Sequence, residues 1–159
     1  MLCYFLRHGP AGDATTWEGS DFERPLTQDG IKRIAREAKT IAALEPELDL
    51  IITSPLVRAR QTAEIVADEL KLRNKLRQDD RLGLGFSAAR LAEILRECEN
   101  ASALMLVGHE PSMSGTVGEL IGGGEVDFKK GALACIEVTR ESPLRGVLLW
   151  LASPKLLTR

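Results

Sequence analysis

The sequence predicts an α/β fold of three layers, with helices on both faces of a mostly parallel sheet and an antiparallel C-terminal edge. In the first two thirds of the chain, short apolar runs alternate with segments of helical periodicity, as in parallel strands joined by helices. The last third has two apolar runs with no helical pattern between them, which indicates a hairpin. A chain of 159 residues, 44% of them hydrophobic, can bury one core, so we expect a single domain over residues 1–159.

The first half of the chain is predicted to contain two strand and helix pairs. Met1 to Leu6 forms the first apolar run, and Thr27 can cap a helix whose apolar residues recur at intervals of three and four. Leu48 to Thr53 is predicted to be the second strand. The dipeptide Ser54-Pro55 is typical of a cap and first helical turn, so a second helix is expected to start there.

The second half continues this alternation and then changes to strands alone. The predicted elements are a short strand over 74–78, a helix capped by Ser87, a strand over 102–107, a helix starting at Pro111, and strands over 132–139 and 147–152. Gly122-Gly123-Gly124 ends the helix that starts at Pro111. A glycine run of this kind can bind phosphate, but no lysine and serine follow it, so a flexible connection is favoured.

Two histidines, the only ones in the chain, each follow an apolar run. His8 closes the first predicted strand and His109 closes the strand over 102–107. Ligands of open α/β sheets bind beyond the carboxyl ends of the strands, where both imidazoles are expected. Arg7 precedes His8, and Arg58 falls in the first turn of a predicted helix that follows a strand. Any one of these residues alone could be structural or solvated, but two guanidiniums and two imidazoles together are suited to binding a phosphate.

Composition and spacing argue against several other functions. The net charge of −2 gives no overall attraction to nucleic acid or to an anionic membrane. Arg58 and Arg60 lack the interleaved aromatic residues of a nucleic-acid surface. A metal held by the two histidines is disfavoured, because the neighbouring arginines would repel a dication, and no metal or cofactor is expected. No cysteine stands six positions before an arginine, as cysteine-based phosphatases require.

The cysteines and the chain start favour a cytoplasmic location. Cys3, Cys98 and Cys135 are odd in number, widely spaced and mostly in apolar surroundings, which predicts buried thiols in a reducing compartment. The apolar run that begins at Met1 is stopped by Arg7 and is too short for a signal peptide. No apolar stretch approaches the roughly 20 residues that span a bilayer.

Three motifs resemble those of the histidine phosphatase superfamily, also called the phosphoglycerate mutase-like fold. They are Leu6-Arg7-His8-Gly9, Ser54-Pro55-Leu56-Val57-Arg58-Ala59-Arg60-Gln61-Thr62 and Val107-Gly108-His109. Arg24-Pro25-Leu26-Thr27, followed by Gly30, is similar to a signature of the small bacterial phosphohistidine phosphatases of the SixA type. The resemblance implies that His8 is a nucleophile that accepts a phosphoryl group, while Arg7, Arg58 and His109 hold its oxygens. Water would then hydrolyse the phosphohistidine.

One feature of the wider family is missing. Many members have a glutamate general acid after the third strand, but here the segment is Asp79-Asp80-Arg81-Leu82-Gly83-Leu84-Gly85. A phosphoramidate needs a strong acid less than an ester does, because protonation of its own imidazole makes that group a good leaving group. The absence of this glutamate therefore favours a phosphohistidine substrate. Asp13, Asp80 and Glu110 are candidate acids, although a solvated or capping role is favoured for each.

The implied partner is a phosphohistidine-bearing protein, such as a histidine-containing phosphotransfer domain. Three alternatives stay open at this point. A mutase is disfavoured, because only about fifty residues separate Arg58 from His109, which leaves little room for a capping segment. A small-molecule phosphomonoesterase with the same site is the main alternative. A non-catalytic binder of phosphorylated ligands is disfavoured by the presence of both histidines and both arginines.

Overall fold

The computed structural model describes residues 1–159. The strands and helices follow one another as β1 (Leu2–Arg7), α1 (Gln28–Ala43), β2 (Leu50–Thr53), α2 (Val57–Glu69), β3 (Leu76–Gln78), α3 (Ala88–Glu97), β4 (Ala103–Gly108), α4 (Ser112–Leu120), β5 (Leu133–Val138), β6 (Gly146–Ala152) and α5 (Pro154–Leu157). Short 3-10 turns occupy Asp21–Glu23, Arg73–Lys75 and Asp80–Leu82.

All six strands form one mixed sheet in the order β3-β2-β4-β1-β5-β6. β3, β2, β4 and β1 pair in parallel, whereas β5 runs antiparallel to both β1 and β6. The predicted α/β class, with a mostly parallel sheet and an antiparallel C-terminal hairpin at its edge, is confirmed. β4 lies at the centre of the parallel part, and all six of its residues are buried.

Helices cover both faces of the sheet, so the core is divided into two clusters. α1, α2 and α5 pack on one face, where Ile34, Ala63 and Leu157 are almost fully buried. α3 and α4 pack on the other face through residues such as Leu91 and Val117. None of these helices has the length and apolar character needed to cross a bilayer.

Of the four predicted helix starts, two are confirmed and two are shifted, by one residue at Pro111 and by two residues at Ser54-Pro55. The Thr27 Oγ1 accepts a hydrogen bond from the Gly30 N–H at 3.0 Å, and the Ser87 Oγ accepts one from the Arg90 N–H at 3.4 Å, as helix caps do. The Ser54-Pro55 prediction is wrong by two residues, because α2 has Leu56 as its N-cap and starts at Val57. Ser54 is instead fully buried and contacts His109.

The glycine run acts as a helix end. Gly122, Gly123 and Gly124 all have φ between 90° and 113°, a region that favours glycine, and they lead the chain out of α4. Pro111 stands at the N-cap, one residue before the start of α4. The sequence pattern did not predict α5 or the 3-10 turns, because elements this short have too few residues to establish a periodicity.

Glu37 is a buried carboxylate on α1 with only one partner. Its Oε1 accepts a hydrogen bond from the Arg33 Nε at 2.9 Å, while its Oε2 is buried without a partner. Burial raises the pKa of Glu37 from 4.5 to about 7, because it disfavours the charged form more than Arg33 favours it. At a pH between 4.5 and about 7, Glu37 of the folded protein therefore keeps a proton that Glu37 of the unfolded chain has released.

The stability of the protein should therefore fall as the pH rises from 4.5 to about 7, because the folded state must lose this proton and bury a charged carboxylate. We expect the free energy of unfolding of the wild type, relative to Glu37→Gln, to decrease by about 3 kcal/mol between pH 4.5 and 7.5. Urea unfolding of both proteins across this range measures the difference. Parallel pH profiles for the two proteins would contradict the prediction.

Candidate active site

The sheet register places the two histidines side by side. β1 and β4 are parallel neighbours in which Arg7 pairs with Gly108, so His8 and His109 leave the sheet at the same level. The His8 N–H donates to the Gly108 carbonyl oxygen at 3.1 Å, and the centroids of the two imidazoles are 5.2 Å apart. Two residues separated by a hundred positions in the chain thus meet at one edge of the sheet.

Arg58 reaches the same edge from the neighbouring strand. β2 pairs with β4, and α2 begins just after β2, so the second residue of α2 lies beside the histidines. The Arg58 side chain is 4% exposed and is held by Asp21. Its Nη1 donates to the Asp21 carbonyl oxygen at 2.8 Å, and its Nη2 to the Asp21 Oδ2 at 3.0 Å.

One cleft of about 490 Å³ connects these side chains. It is lined by the four residues predicted from the sequence, Arg7, His8, Arg58 and His109, together with Ala11, Gly12, Asp13, Ala14, Arg24, Glu110 and Lys130. The cationic groups outnumber the carboxylates, so the cleft is suited to an anionic ligand. Arg24 also supports its wall, because its Nη1 donates to the Gly12 carbonyl oxygen at 2.6 Å.

The hydrogen bonds of His8 determine which ring nitrogen is free. Its Nδ1 lies 2.7 Å from the Gly9 carbonyl oxygen, which can only accept, so Nδ1 carries the proton and Nε2 keeps its lone pair. The Gly9 N–H donates to the Thr62 Oγ1 at 3.1 Å, which ties this loop to α2. A Cβ at Gly9 would overlap the Ile34 side chain, so the residue after His8 must be glycine in this packing.

Ser54 orients the second imidazole. The Ser54 Oγ accepts a hydrogen bond from the Leu56 N–H at 3.2 Å and lies 2.7 Å from the His109 Nε2. The His109 Nε2 is the only partner of this hydroxyl that can accept its proton, so we assign the Ser54 hydroxyl as the donor and the ring proton of His109 to Nδ1. That Nδ1 is buried and has no partner within the protein.

The two arginines of the cleft also have buried nitrogen atoms without a hydrogen-bond partner. Arg7 Nε and Arg58 Nε are buried without a hydrogen-bond partner, although Arg7 Nη1 donates to the Phe128 carbonyl oxygen at 2.7 Å. A buried donor without a partner is unfavourable by about 1–3 kcal/mol. Arg7, Arg58 and His109 all line the same cleft, so an anion bound there meets two guanidinium groups and an imidazole.

Both imidazoles are neutral at physiological pH. Burial, with the charges of His109, Arg58 and Arg7, lowers the pKa of His8 to about 3 despite the hydrogen bond to Gly9. Burial and the charge of Arg58 lower the pKa of His109 to about 4. A neutral His8 has the lone pair that a nucleophile needs.

These shifts predict that neither histidine titrates near its usual pKa of about 6.5. We expect the Cε1–H NMR signals of both rings to stay unchanged from pH 7.5 down to about pH 5, because protonation would place a cation beside the buried guanidiniums. With only two histidines, a His8→Asn variant assigns the signals, and the urea-unfolded chain is the reference. A titration midpoint near 6.5 in the folded protein would contradict the prediction.

The three candidate acids are placed differently. Asp13 lines the cleft, but hydrogen bonds from the Thr15 hydroxyl and N–H hold the pKa of Asp13 below its usual value, so it is ionised. Glu110 also lines the cleft and accepts hydrogen bonds from the Ser114 N–H at 2.9 Å and the Ser114 hydroxyl at 2.6 Å, at the start of α4. Asp80 is exposed in a 3-10 turn and is not part of the cleft lining.

The sequence reasoning missed several residues that build the site. Asp21, which holds Arg58, precedes it by 37 positions and belongs to no recognisable motif. Lys130 enters the cleft from the loop before β5. Ser54 and Thr62 could have been identified, since both belong to the second motif, but the sequence does not show that they contact His109 and Gly9.

Comparison with known proteins agrees with the motifs. Residues 3–83 match the family model described as histidine phosphatase superfamily (branch 1). The chain is 29% identical to phosphohistidine phosphatase SixA of Escherichia coli (strain K12) over 159 residues, covering 97% of this chain and 94% of that protein.

Solved structures show the same fold. A structure of the protein histidine phosphatase SixA complexed with tungstate superposes with a TM-score of 0.87 and 26% identity, covering 98% of both chains. The alpha-ribazole phosphatase of Shigella flexneri has a TM-score of 0.75 at 20% identity and covers 97% of both chains. At 20% identity, this second similarity shows only that the two proteins share a fold.

Proposed function

The chain belongs to the histidine phosphatase superfamily (branch 1) and is a phosphatase of that type, and from this we propose that it hydrolyses phosphohistidine on proteins. One observation carries the chemical part of the proposal. A buried, neutral imidazole with a free Nε2 shares one cleft with Arg7, Arg58 and His109, and each of these three side chains has a buried nitrogen without a partner. Phosphoryl transfer requires a nucleophile surrounded by fixed donors in this way.

In the first proposed step, the His8 Nε2 attacks the phosphorus atom of the substrate. A bond forms between Nε2 and phosphorus, the bond between phosphorus and the substrate nitrogen breaks, and the departing imidazole retains a proton. Arg7, Arg58 and His109 donate to the equatorial oxygens, where negative charge is spread in the transition state. The Gly9 carbonyl stabilises the positive charge that His8 gains, because it accepts the Nδ1 proton.

In the second step, water attacks the phosphorus atom of phosphorylated His8. The oxygen of the water bonds to phosphorus as the bond to Nε2 breaks. Both protons of the water leave with the phosphate as H₂PO₄⁻, and His8, which keeps its Nδ1 proton, returns to its neutral form. Neither step assigns a role to a metal. The same donors hold the phosphoryl oxygens in both steps, so no rearrangement of the cleft is required.

The carboxylates of the cleft support a phosphohistidine substrate over a phosphomonoester. Asp13 is ionised and Glu110 is engaged with Ser114, so neither is set up as a strong acid for an alkoxide leaving group. An imidazole leaving group can carry its own proton. The similarity to a protein named phosphohistidine phosphatase supports the same substrate.

The segment between Arg58 and His109 supports hydrolysis over a mutase reaction. Leu82, Phe86 and Leu91 from this segment are buried in the core cluster on the α3 and α4 face. A segment that packs into the core does not form a cap to retain and reorient a small intermediate.

Three further expectations belong to this proposal. Residues 1–159 would form a single histidine phosphatase domain, which is supported by the one sheet that joins all strands. The partner would be a phosphohistidine-bearing protein, such as a histidine-containing phosphotransfer domain. The buried, unpaired Cys3, Cys98 and Cys135 support a reducing compartment such as the cytoplasm.

A comparison of substrates tests the proposal. We expect kcat/KM for a phosphorylated histidine-containing phosphotransfer domain to exceed that for p-nitrophenyl phosphate by at least roughly tenfold, with EDTA present throughout. His8→Asn measures the spontaneous loss of phosphate from the protein substrate. Preference for the monoester would overturn the phosphohistidine assignment and favour a phosphomonoesterase with the same site.

A further inference from the structure

A second concave surface adjoins the cleft and carries only positive charge. This basic groove, of about 780 Å³, is formed by α1, the loop before β5, and α5. Its charged lining residues are Arg7, Arg33, Arg36, Lys129, Lys130 and Lys155, and no carboxylate is among its lining residues. The chain as a whole has a net charge of −2, so the groove is opposite in sign to the rest of the molecule.

Most of these cations are not neutralised within the protein. Arg36, Lys130 and Lys155 make no ion pair, and Lys129 pairs at 2.9 Å with Asp127, which is itself largely exposed. Arg33 is the exception, because its Nε donates to the buried Glu37.

Arg33 also holds the groove wall in place, since its Nη2 donates to the Lys130 carbonyl oxygen at 2.6 Å. Arg33 and Arg36 also line a neighbouring depression, whose other charged lining residues are Asp29 and Lys32.

The groove and the cleft lie next to each other and share part of their walls. Arg7 and Lys130 line both of them, so the basic surface begins at the residues beside His8. A protein segment whose phosphohistidine reaches His8 has neighbouring residues close to this surface. We propose that the basic groove binds acidic side chains next to the phosphohistidine of the substrate protein. This inference rests on the proposed function and specifies the class of protein that the site selects.

The groove fits an acidic polypeptide better than a nucleic acid or a membrane. Its lining residues include no aromatic side chain on which a base could stack, and no exposed large apolar side chain that could insert into lipid. Its side chains carry positive charge on a concave surface, and lysine and arginine bind carboxylates through charge-assisted hydrogen bonds. The rest of the surface, with its excess of acidic groups, would repel an acidic partner and leave the groove as the favourable place of contact.

The expected effect is on substrate capture. Attraction between unlike charges raises the association rate and is screened by salt over about 10 Å at 0.1 M ionic strength. The groove should therefore lower KM for acidic substrates and leave kcat unchanged. A small phosphoramidate, which has no neighbouring side chains, should not benefit.

Two variants with equal net charge test this proposal. The groove variant combines Arg36→Glu, Lys129→Glu and Lys155→Glu, all at exposed positions outside the cleft lining. The control variant combines Lys71→Glu, Arg90→Glu and Arg96→Glu, which are exposed, form no ion pair and lie outside the groove. The substrates are two phosphohistidine peptides of equal length, one flanked by glutamates and the other by glutamines, with phosphoramidate as the small reference.

At low salt, we expect the wild type and the control variant to prefer the glutamate peptide by roughly tenfold in kcat/KM, mainly through KM. The groove variant should hydrolyse both peptides with kcat/KM values within about twofold of each other. All three proteins should hydrolyse phosphoramidate alike, which verifies that they are folded. Added salt should remove the preference of the wild type.

An equal preference in the groove and control variants would overturn the role of the groove and leave the proposed function standing. Failure of the wild type to hydrolyse either peptide, with activity on p-nitrophenyl phosphate, would overturn the proposed function instead. Binding of the wild type to phosphatidylserine vesicles, lost in the groove variant while its peptide preference is kept, would overturn the assignment to an acidic protein in favour of a membrane.

Discussion

His8→Ala is expected to lower kcat on a phosphohistidine protein by at least about 10³-fold, because the variant has no atom that can accept the phosphoryl group. His8 is buried, and its Nδ1 is committed to the Gly9 carbonyl, so its Nε2 is the group available for attack. The His109 Nε2 is occupied by Ser54 and cannot take over this role.

Rapid-quench analysis of protein-bound phosphate separates this role from one in binding. Wild-type protein mixed with labelled substrate should carry phosphate that is stable to base and labile to acid, as phosphohistidine is, and His8→Ala should carry none. The far-UV circular dichroism of the variant should match that of the wild type. Undiminished turnover in His8→Ala, or label that persists on it, would refute the proposed covalent intermediate.

Arg58→Ala should have the second largest effect, a loss of about 10²–10³-fold in kcat/KM, because it removes a preorganised donor to the phosphoryl oxygens. Its Nε has no partner within the protein, and the salt bridge to Asp21 orients the guanidinium before the substrate arrives. Asp21 contributes by holding both Nη atoms. Removal of this side chain also leaves Asp21 without its partner, yet Asp21 is 48% exposed and water can solvate its carboxylate.

Arg60→Ala is the matched control for this prediction. Arg60 lies two positions further along the same helix, is 44% exposed and makes only a 4.0 Å contact with Glu64. Its replacement should leave kcat/KM within about twofold, since exposed ion pairs contribute little. Steady-state kinetics of the two variants on the same phosphoprotein gives the comparison. Equal losses at both positions would show that general charge, and not the Arg58 donor, matters.

The fold class was predictable because its signals are local. Apolar runs followed by helical periodicity identify strands and helices wherever the segment is long enough, as for α1 and β4. Ser54 shows where this reasoning ends. Its type and its place before a proline are typical of a helix cap, but its hydroxyl is used by His109, and the helix starts three residues later at Val57.

The candidate site likewise has features that the sequence predicts and features that only the tertiary structure shows. The sequence by itself determined the motifs, and through them the family and the four side chains expected to handle a phosphoryl group, because those residue types stand in fixed positions within short segments. Only the tertiary structure decided that Arg7 and Gly108 are register partners, that Asp21 holds Arg58, and that Lys130 joins the cleft to a basic groove. These relations depend on distances and burial between segments that lie far apart in the chain, and so do the low pKa values of His8 and His109. A linear sequence does not specify them, because only the packing of the sheet and helices brings those segments together.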